Sequence, residues 1–178
     1  MKNILYILLV SLLFSCSEKI RVYTDKDSSR DIQRFSTYAW GTIKNLETDN
    51  NPIFYNELND KRIKAEVNNQ LQAKGYNLRD ENPQLVVHYH IVIKNEIVQR
   101  DMSNFYHGAR WIEADRNSYS SQEGTLIIDL MDATTDELIW RGYAVSVLDE
   151  YRPDIAEETL RKAIVKIFSE FPPSSKLN

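Results

Sequence analysis

Two histidines, His88 and His90, stand two residues apart in a segment whose side chains alternate between apolar and polar. In a β-strand such residues share one face, with Cα atoms roughly 6.5 Å apart. Imidazoles at that spacing can converge on zinc, so metal binding is the first chemistry that the pair suggests. Zinc needs a third protein ligand, and no other residue stands at a suitable spacing. We therefore expect no bound metal and no cofactor.

Alternation along three predicted strands brings further polar residues to the histidine face, which we call the second face. They are Asp129, Arg141 and Tyr143. Two interpretations stay open: a site for a small ligand, or a partly exposed sheet face on which Asp129 and Arg141 pair across neighbouring strands. The opposite set is apolar and is assigned to the core: Leu85, Val87, Tyr89, Ile91, Ile93, Leu126, Ile128, Leu130, Trp140, Gly142 and Ala144.

The elements that must position these residues follow from periodicity. Strands are predicted at residues 20–24, 35–40, 85–98, 125–132 and 138–148. Apolar residues recur every three to four positions from about Asn59 to Tyr76 and from Asp154 to Phe171, which predicts two amphipathic helices. The order β-β-α-β-β-β-α predicts an α+β fold: a mainly antiparallel sheet with both helices on one face. Residues 20–178 are predicted to form a single domain.

Residues 100–123 show no sustained period and contain the aromatic residues Phe105, Tyr106, Trp111 and Tyr119. A connection of that length is either functional or disordered. Two hypotheses apply to its aromatic side chains. They fold over the second face as core, or they form an exposed contact for a protein partner or for lipid headgroups.

The N-terminus has the pattern of a secretory signal. Lys2 is followed by an apolar run over residues 4–14, roughly 16 Å long as a helix and therefore about half a hydrocarbon core. The run ends Leu13-Phe14-Ser15-Cys16, which resembles a lipobox. This predicts a signal peptide at 1–15, a lipidated Cys16 with a short tether at 16–19, and a membrane as one partner through that lipid. Ser17, rather than Asp, follows the cysteine, which favours the outer membrane, facing the periplasm.

Composition narrows the function classes. The 178 residues are 42% hydrophobic and 27% charged, with a net charge of −4 and no basic cluster, so a nucleic-acid partner is not expected. The sequence contains no Gly-x-Ser-x-Gly and no His-Glu-x-x-His, and its five glycines are too scattered for a phosphate-binding loop. We therefore predict that the protein is not an enzyme, and a hydrolase without a recognisable motif is the least favoured alternative.

Several short segments together resemble domain-of-unknown-function family 4136, a family of small bacterial lipoproteins. They are Val22-Tyr23-Thr24-Asp25, Phe35-Ser36-Thr37-Tyr38-Ala39-Trp40, Arg62-Ile63, Lys74-Gly75-Tyr76, the run Pro83 to His90, Gly124 to Asp129 and Trp140-Arg141-Gly142. One departure is Asp136, where the hairpin turn should have glycine. The resemblance implies a cell-envelope lipoprotein and supplies no activity or catalytic residues.

The resulting hypothesis is a non-catalytic, membrane-anchored lipoprotein that serves an envelope complex as a binding or scaffolding accessory. The alternative is a small-ligand or metal-binding module that uses the second face around His88 and His90.

Overall fold

The computed structural model describes residues 20–41, 56–98, 119–148 and 153–175, which form one mixed sheet and two helices. The elements are β1 (Arg21–Lys26), β2 (Thr37–Trp40), α1 (Glu57–Ala73), β3 (Asn77–Leu78), β4 (Leu85–Val98), β5 (Tyr119–Asp132), β6 (Leu138–Leu148) and α2 (Pro153–Ser169). A short 3-10 helix at Ile32–Arg34 precedes β2. Neither α1 nor α2 is long and apolar enough to cross a membrane.

The six strands lie in the order β1-β6-β5-β4-β2-β3. The pairs β4–β5, β5–β6 and β1–β6 are antiparallel, so the α+β class and the mainly antiparallel sheet are confirmed. Two pairs, β2–β3 and β2–β4, are parallel and were not predicted. The parallel β2–β4 pair follows from the chain order. Parallel neighbours need a long crossover connection, and α1 supplies it by returning the chain to the end of the sheet at which β2 begins.

Both helices cover the same face of the sheet, as predicted. Ile63, Val67 and Leu71 of α1 join a single buried cluster with Ile164 and Ile167 of α2 and with the core-facing side chains of β4, β5 and β6. The Tyr89 hydroxyl of β4 donates to Asp60 Oδ1 of α1 at 2.8 Å. This common core fixes which residues of each strand are left on the second face.

The ends of α1 follow standard capping chemistry. The Asn56 side chain accepts the Asn59 N–H at 2.9 Å, so the helix begins at Glu57, two residues earlier than its apolar period indicates. At the other end Gly75 adopts a φ of 86°, and the Tyr76 N–H donates to the Leu71 carbonyl at 3.0 Å. Gly75 therefore ends the helix, as the sequence predicts.

Two strands are longer than predicted. β1 continues to Lys26 instead of ending at Thr24, and β5 begins at Tyr119, inside the segment predicted as a loop. The ladder pairs Tyr119 with Val98 and Glu123 with Lys94. The prediction failed because residues 119–123 have no apolar alternation, whereas the backbone hydrogen bonds of a ladder do not depend on side-chain type.

The β5–β6 turn accommodates Asp136 where glycine was expected. Asp136 has a φ of 59°, in the left-handed region that aspartate tolerates. The preceding Asp132 accepts the N–H groups of Thr134 and Thr135 at 2.8 and 3.3 Å and an Arg30 N–H at 3.0 Å. The turn is therefore held by side-chain hydrogen bonds to its own backbone and to the segment after β1.

The burial of Tyr38 predicts how the free energy of unfolding changes with pH in alkaline solution. Tyr38 is fully buried, and its hydroxyl donates to Asn68 Oδ1 at 2.9 Å. Burial raises its pKa from 10.0 to about 12, an effect that a hydrogen bond with Gln72 offsets in part. Burial also raises the pKa of Tyr76. A raised pKa of an acid means that the folded state keeps its proton longer than the unfolded state does. The contribution of the protonated Tyr38 to the free energy of unfolding is therefore complete below pH 10 and is lost as pH rises from 10 to 12.

We expect the free energy of unfolding to fall above pH 10 by up to about 1.4 kcal/mol per pH unit for each such tyrosine. Urea unfolding at a series of pH values measures the slope. Tyr38→Phe should reduce the slope, because the titrating group is gone, and Tyr143→Phe on the second face serves as the comparison. Equal slopes for wild type and Tyr38→Phe would contradict the assignment.

Candidate functional site

The second face is the sheet surface opposite the two helices, and it extends over β1, β6, β5 and β4. The registers and the alternating burial assign its members. They are Arg21, Tyr23, Asp25, Val86, His88, His90, Val92, Lys94, Glu123, Thr125, Ile127, Asp129, Met131, Arg141, Tyr143, Val145 and Val147. All five residues predicted for this face, His88, His90, Asp129, Arg141 and Tyr143, lie on it.

One row of charged and polar residues crosses four adjacent strands. The register places Asp25 opposite Arg141, Arg141 opposite Asp129, and Asp129 opposite His88. Acidic and basic groups therefore alternate across β1, β6 and β5 before the histidine on β4. We call these four residues the polar row.

The centre of the polar row is a two-pronged ion pair. Arg141 donates from Nε to Asp129 Oδ1 at 2.6 Å and from Nη2 to Asp129 Oδ2 at 2.7 Å. The Asp129 side chain is only 7% exposed, whereas that of Arg141 is 44% exposed. The hydrogen bonds to Asp129 raise the pKa of Arg141, with smaller contributions from the charges of Asp129 and Asp25 and an opposing one from burial. The predicted cross-strand pair is therefore present, and its carboxylate is buried more deeply than alternation alone suggests.

His88 occupies the β4 end of the polar row, over the backbone that follows β2. A Cβ atom added to Gly41 would lie 2.1 Å from His88 Cε1, so the imidazole needs a residue without a side chain there. The Gly41 N–H donates to the Val87 carbonyl at 2.9 Å, which holds this backbone against β4. Gly41 was missed as part of the site, and only its position immediately after a predicted strand could have indicated it.

His90 lies one row further along β4 and is exposed, and Tyr143 occupies that row on β6. Tyr143 stacks on Tyr23 of β1, with ring centroids 5.1 Å apart and an angle of 21° between the planes. Within the described ranges no group of three or more His, Cys, Asp or Glu side chains could hold a metal ion. Both carboxylate oxygens of Asp129 accept hydrogen bonds from Arg141, so the charges of these two residues neutralise each other within the polar row.

Apolar and aromatic side chains lie beside the polar row and reach solvent. Tyr23 is 48% exposed, Val92 39% and Val147 63%. Since both helices pack on the other face, none of the described elements covers this surface. Arg21 forms an ion pair with Glu123 across β6 at its far end. The site is therefore a broad sheet surface on which exposed apolar side chains lie beside the polar row and beside the ion pair of Arg21 and Glu123.

Of the remaining predicted contact residues, only Tyr119 belongs to a described element. Tyr119 is the first residue of β5, opposite Val98, rather than part of a loop. Phe105, Tyr106 and Trp111 lie outside the described residues, as does Cys16.

The fold and the site define a class of protein: an α+β domain whose single mixed sheet is covered by helices on one face and, among the described residues, uncovered on the other. Residues 22–173 match the family model described as a domain of unknown function (DUF4136). The chain belongs to this family, as its short segments predicted.

Comparison with one solved structure supports the fold. A PDZ domain protein from Parabacteroides distasonis superposes over 96% of this chain with a TM-score of 0.58 and 17% sequence identity. This chain spans only 40% of that protein. The PelC dodecamer from Paraburkholderia phytofirmans matches over 84% of this chain and 95% of its own, with a TM-score of 0.45 and 11% identity. The search among curated proteins finds no relative.

Proposed function

We propose that this chain is a lipoprotein of the bacterial cell envelope, anchored through Cys16, that binds a protein partner through the second face and performs no catalysis itself. The single observation that carries the proposal is the second face itself, which extends across four strands and which no described element covers. Its exposed Tyr23, Val92 and Val147 lie on one side of the polar row, and the ion pair of Arg21 and Glu123 lies beside them. Exposed apolar surface rimmed by polar groups is typical of protein interaction sites.

The composition of the second face suits a protein partner better than a small solute. The aromatic pair of Tyr23 and Tyr143 offers a large, rigid contact area, and aromatic residues and arginine are enriched in the centres of protein interfaces. Arg141 keeps 44% of its side chain exposed while it binds Asp129, so its remaining donors can meet an acceptor on a partner.

The length of the tether supports a position close to the membrane. β1 begins at Arg21, so four residues separate it from Cys16. Even fully extended, four residues span only about 14 Å, roughly the radius of a small domain. A lipid on Cys16 would therefore hold the domain near the headgroups, where it can reach neighbouring envelope proteins. The serine after the cysteine favours the outer membrane as the site of anchoring.

Position-specific photocrosslinking tests the binding surface. A photoreactive amino acid is placed at Tyr143 or Val92 on the second face, or at Leu58 (63% exposed) or Val165 (37% exposed) on the helices. We expect cells irradiated intact to yield an adduct with one other envelope protein from the second-face positions only. Adducts from the helix positions with none from the second face would contradict the proposal.

Lipidation at Cys16 has its own test. Cys16→Ala should abolish incorporation of an alkyne fatty-acid analogue, because the thioether to the lipid needs the cysteine sulfur. Cys16 is the only cysteine in the chain, so no other thiol can replace it. The washed membrane fraction of producing cells is labelled and compared with wild type. Label at the wild-type level on the alanine variant would show that the chain is not anchored through this residue.

A further inference from the structure

Among the described strands, β1 is an edge strand whose outer side has no partner. It is the first strand in the sheet order, and β6 is its only partner among the described strands. The Asp27 N–H donates to the Ile139 carbonyl of β6 at 2.9 Å. Because backbone groups alternate in direction along an antiparallel strand, those of Tyr23 and Asp25 also turn towards β6. The backbone groups of Val22 and Thr24 therefore point outward and are available to another strand.

We propose that this edge pairs antiparallel with the same edge of a second copy of the chain, in a register centred on Tyr23. The contact would join two six-stranded sheets into one continuous sheet related by a twofold axis, the commonest symmetry of soluble dimers. This pairing follows from the geometry and charges of β1 and of its neighbours Tyr143 and Glu123. It does not rest on the proposed lipid anchor or on the partner of the second face.

The direction of the backbone groups restricts the register. In an antiparallel ladder two directly opposed residues are either both hydrogen-bonded to each other or both turned away. Val22 must therefore face Val22, Thr24 or Lys26 of the second copy. The register with Val22 opposite Thr24 places Tyr23 opposite Tyr23 of the second copy. These two residues form a non-hydrogen-bonded pair, which we call the narrow pair, with Cα atoms about 4.5 Å apart.

Charge selects this register among those allowed. It places Arg21 opposite Asp25 of the second copy, and symmetry repeats the pair, so two opposite-charge pairs lie on the same sheet face. The stacked Tyr23 and Tyr143 would meet their copies between these pairs and form a continuous row of four tyrosines. Arg21 is 60% exposed and already bridges to Glu123, and a guanidinium has enough N–H donors to bind both carboxylates.

The neighbouring registers are poorer. A register centred on Thr24 sets Arg21 opposite Asp27, whose carboxylate already accepts two hydrogen bonds from Ser29, at 2.8 and 2.7 Å, whereas that of Asp25 accepts one, from the Lys26 N–H at 2.8 Å. It also places Tyr23 opposite Asp25. A register centred on Val22 sets Arg21 opposite Tyr23 and gives Asp25 no partner within the described residues.

Disulfide trapping tests the register directly. The full-length chain with Tyr23→Cys, purified in detergent, is oxidised and run on a non-reducing gel. The narrow pair lies within the Cα separation that a disulfide allows, so we expect a covalent dimer that reductant reverses. Lys26→Cys is the matched control, because in this register its two copies lie roughly 20 Å apart. Both variants retain Cys16, so any dimer made through that residue appears equally in each.

We expect at least about tenfold more dimer from Tyr23→Cys than from Lys26→Cys, since only the first pair meets disulfide geometry. Equal yields would overturn the proposal. Circular dichroism of each variant verifies that the fold is intact, as expected for an exposed substitution site.

Charge reversal in the Tyr23→Cys background tests the ion pairs. Arg21→Asp should lower dimer formation, because it sets two carboxylates opposite each other, and adding Asp25→Arg should restore it. Glu123→Gln removes only the intramolecular partner of Arg21 and should leave dimer formation undiminished. A double reversal that traps no more dimer than Arg21→Asp alone would overturn the proposed register, as would an Arg21→Asp variant that dimerises like its parent.

Discussion

Arg141→Ala is expected to lower the free energy of unfolding by about 3 kcal/mol, the low end of the roughly 3–5 kcal/mol lost when one partner of a buried ion pair is removed. The reason is the asymmetry of the pair. The Asp129 side chain is 7% exposed and accepts two hydrogen bonds from Arg141, so the substitution leaves a buried carboxylate without its counter-charge. Urea unfolding at neutral pH measures the change.

The reverse substitution should cost less. Asp129→Ala leaves Arg141 with 44% of its side chain exposed, so water can solvate the guanidinium, and we expect a loss of about 1–2 kcal/mol. The double variant should lose less than the sum of the two single losses, because removing the second partner relieves the unpaired group. Arg161→Ala, at an exposed position of α2, serves as the control and should change stability by less than about 0.5 kcal/mol. An Arg141→Ala variant as stable as that control would mean that Asp129 is not buried as described.

Gly142→Ala should also be strongly destabilising, by about 2–3 kcal/mol, because the core has no space for another methyl group at this point. A Cβ there would lie 2.5 Å from Ile167 Cγ2 of α2 and 2.4 Å from Cη2 of Trp140. The added atom must push α2 away from β6 or turn the indole out of its packing against Phe168 and Phe171.

A double-mutant cycle assigns this cost to the helix contact. Ile167→Ala alone opens a cavity and should cost about 2–4 kcal/mol. Combined with Gly142→Ala, it should cost clearly less than the sum, because the new methyl group enters the space that isoleucine vacates. Thermal unfolding of the four chains supplies the energies. Strict additivity would show that α2 does not press on β6 at this residue.

The sequence predicted the faces of the sheet because burial is one-sided. Along β4, Leu85, Val87 and Tyr89 are buried, whereas His88 and His90 are more exposed, and a period of two follows directly from that difference. The same reasoning placed Asp129 opposite Arg141. Alternation predicts only the face to which a side chain points, however. The depth of Asp129 depends on the guanidinium above it, which is a contact between strands.

Other features had no local signal. The polar start of β5 carries no alternation, so its pairing with β4 could not be predicted from side chains. The parallel pairing of β2 depends on where α1 returns the chain. Gly41 matters only because the His88 ring packs on it, a contact between residues distant in sequence. The aromatic residues Phe105, Tyr106 and Trp111 lie outside the described residues, and their role as a partner contact stays a prediction.

The central claim is that the second face is an occupied binding surface in the cell envelope. Cysteine protection tests it most directly, with Val92→Cys on that face and Val165→Cys on α2, which are similarly exposed at 39% and 37%. Each variant is treated with a membrane-impermeant maleimide, once as purified full-length protein and once in freshly opened envelopes. We predict that Val92→Cys reacts in the purified protein and is protected at least about fivefold in envelopes, as expected for a residue inside a protein interface. Val165→Cys should react equally in both. Equal reactivity of Val92→Cys in the two preparations would contradict the account.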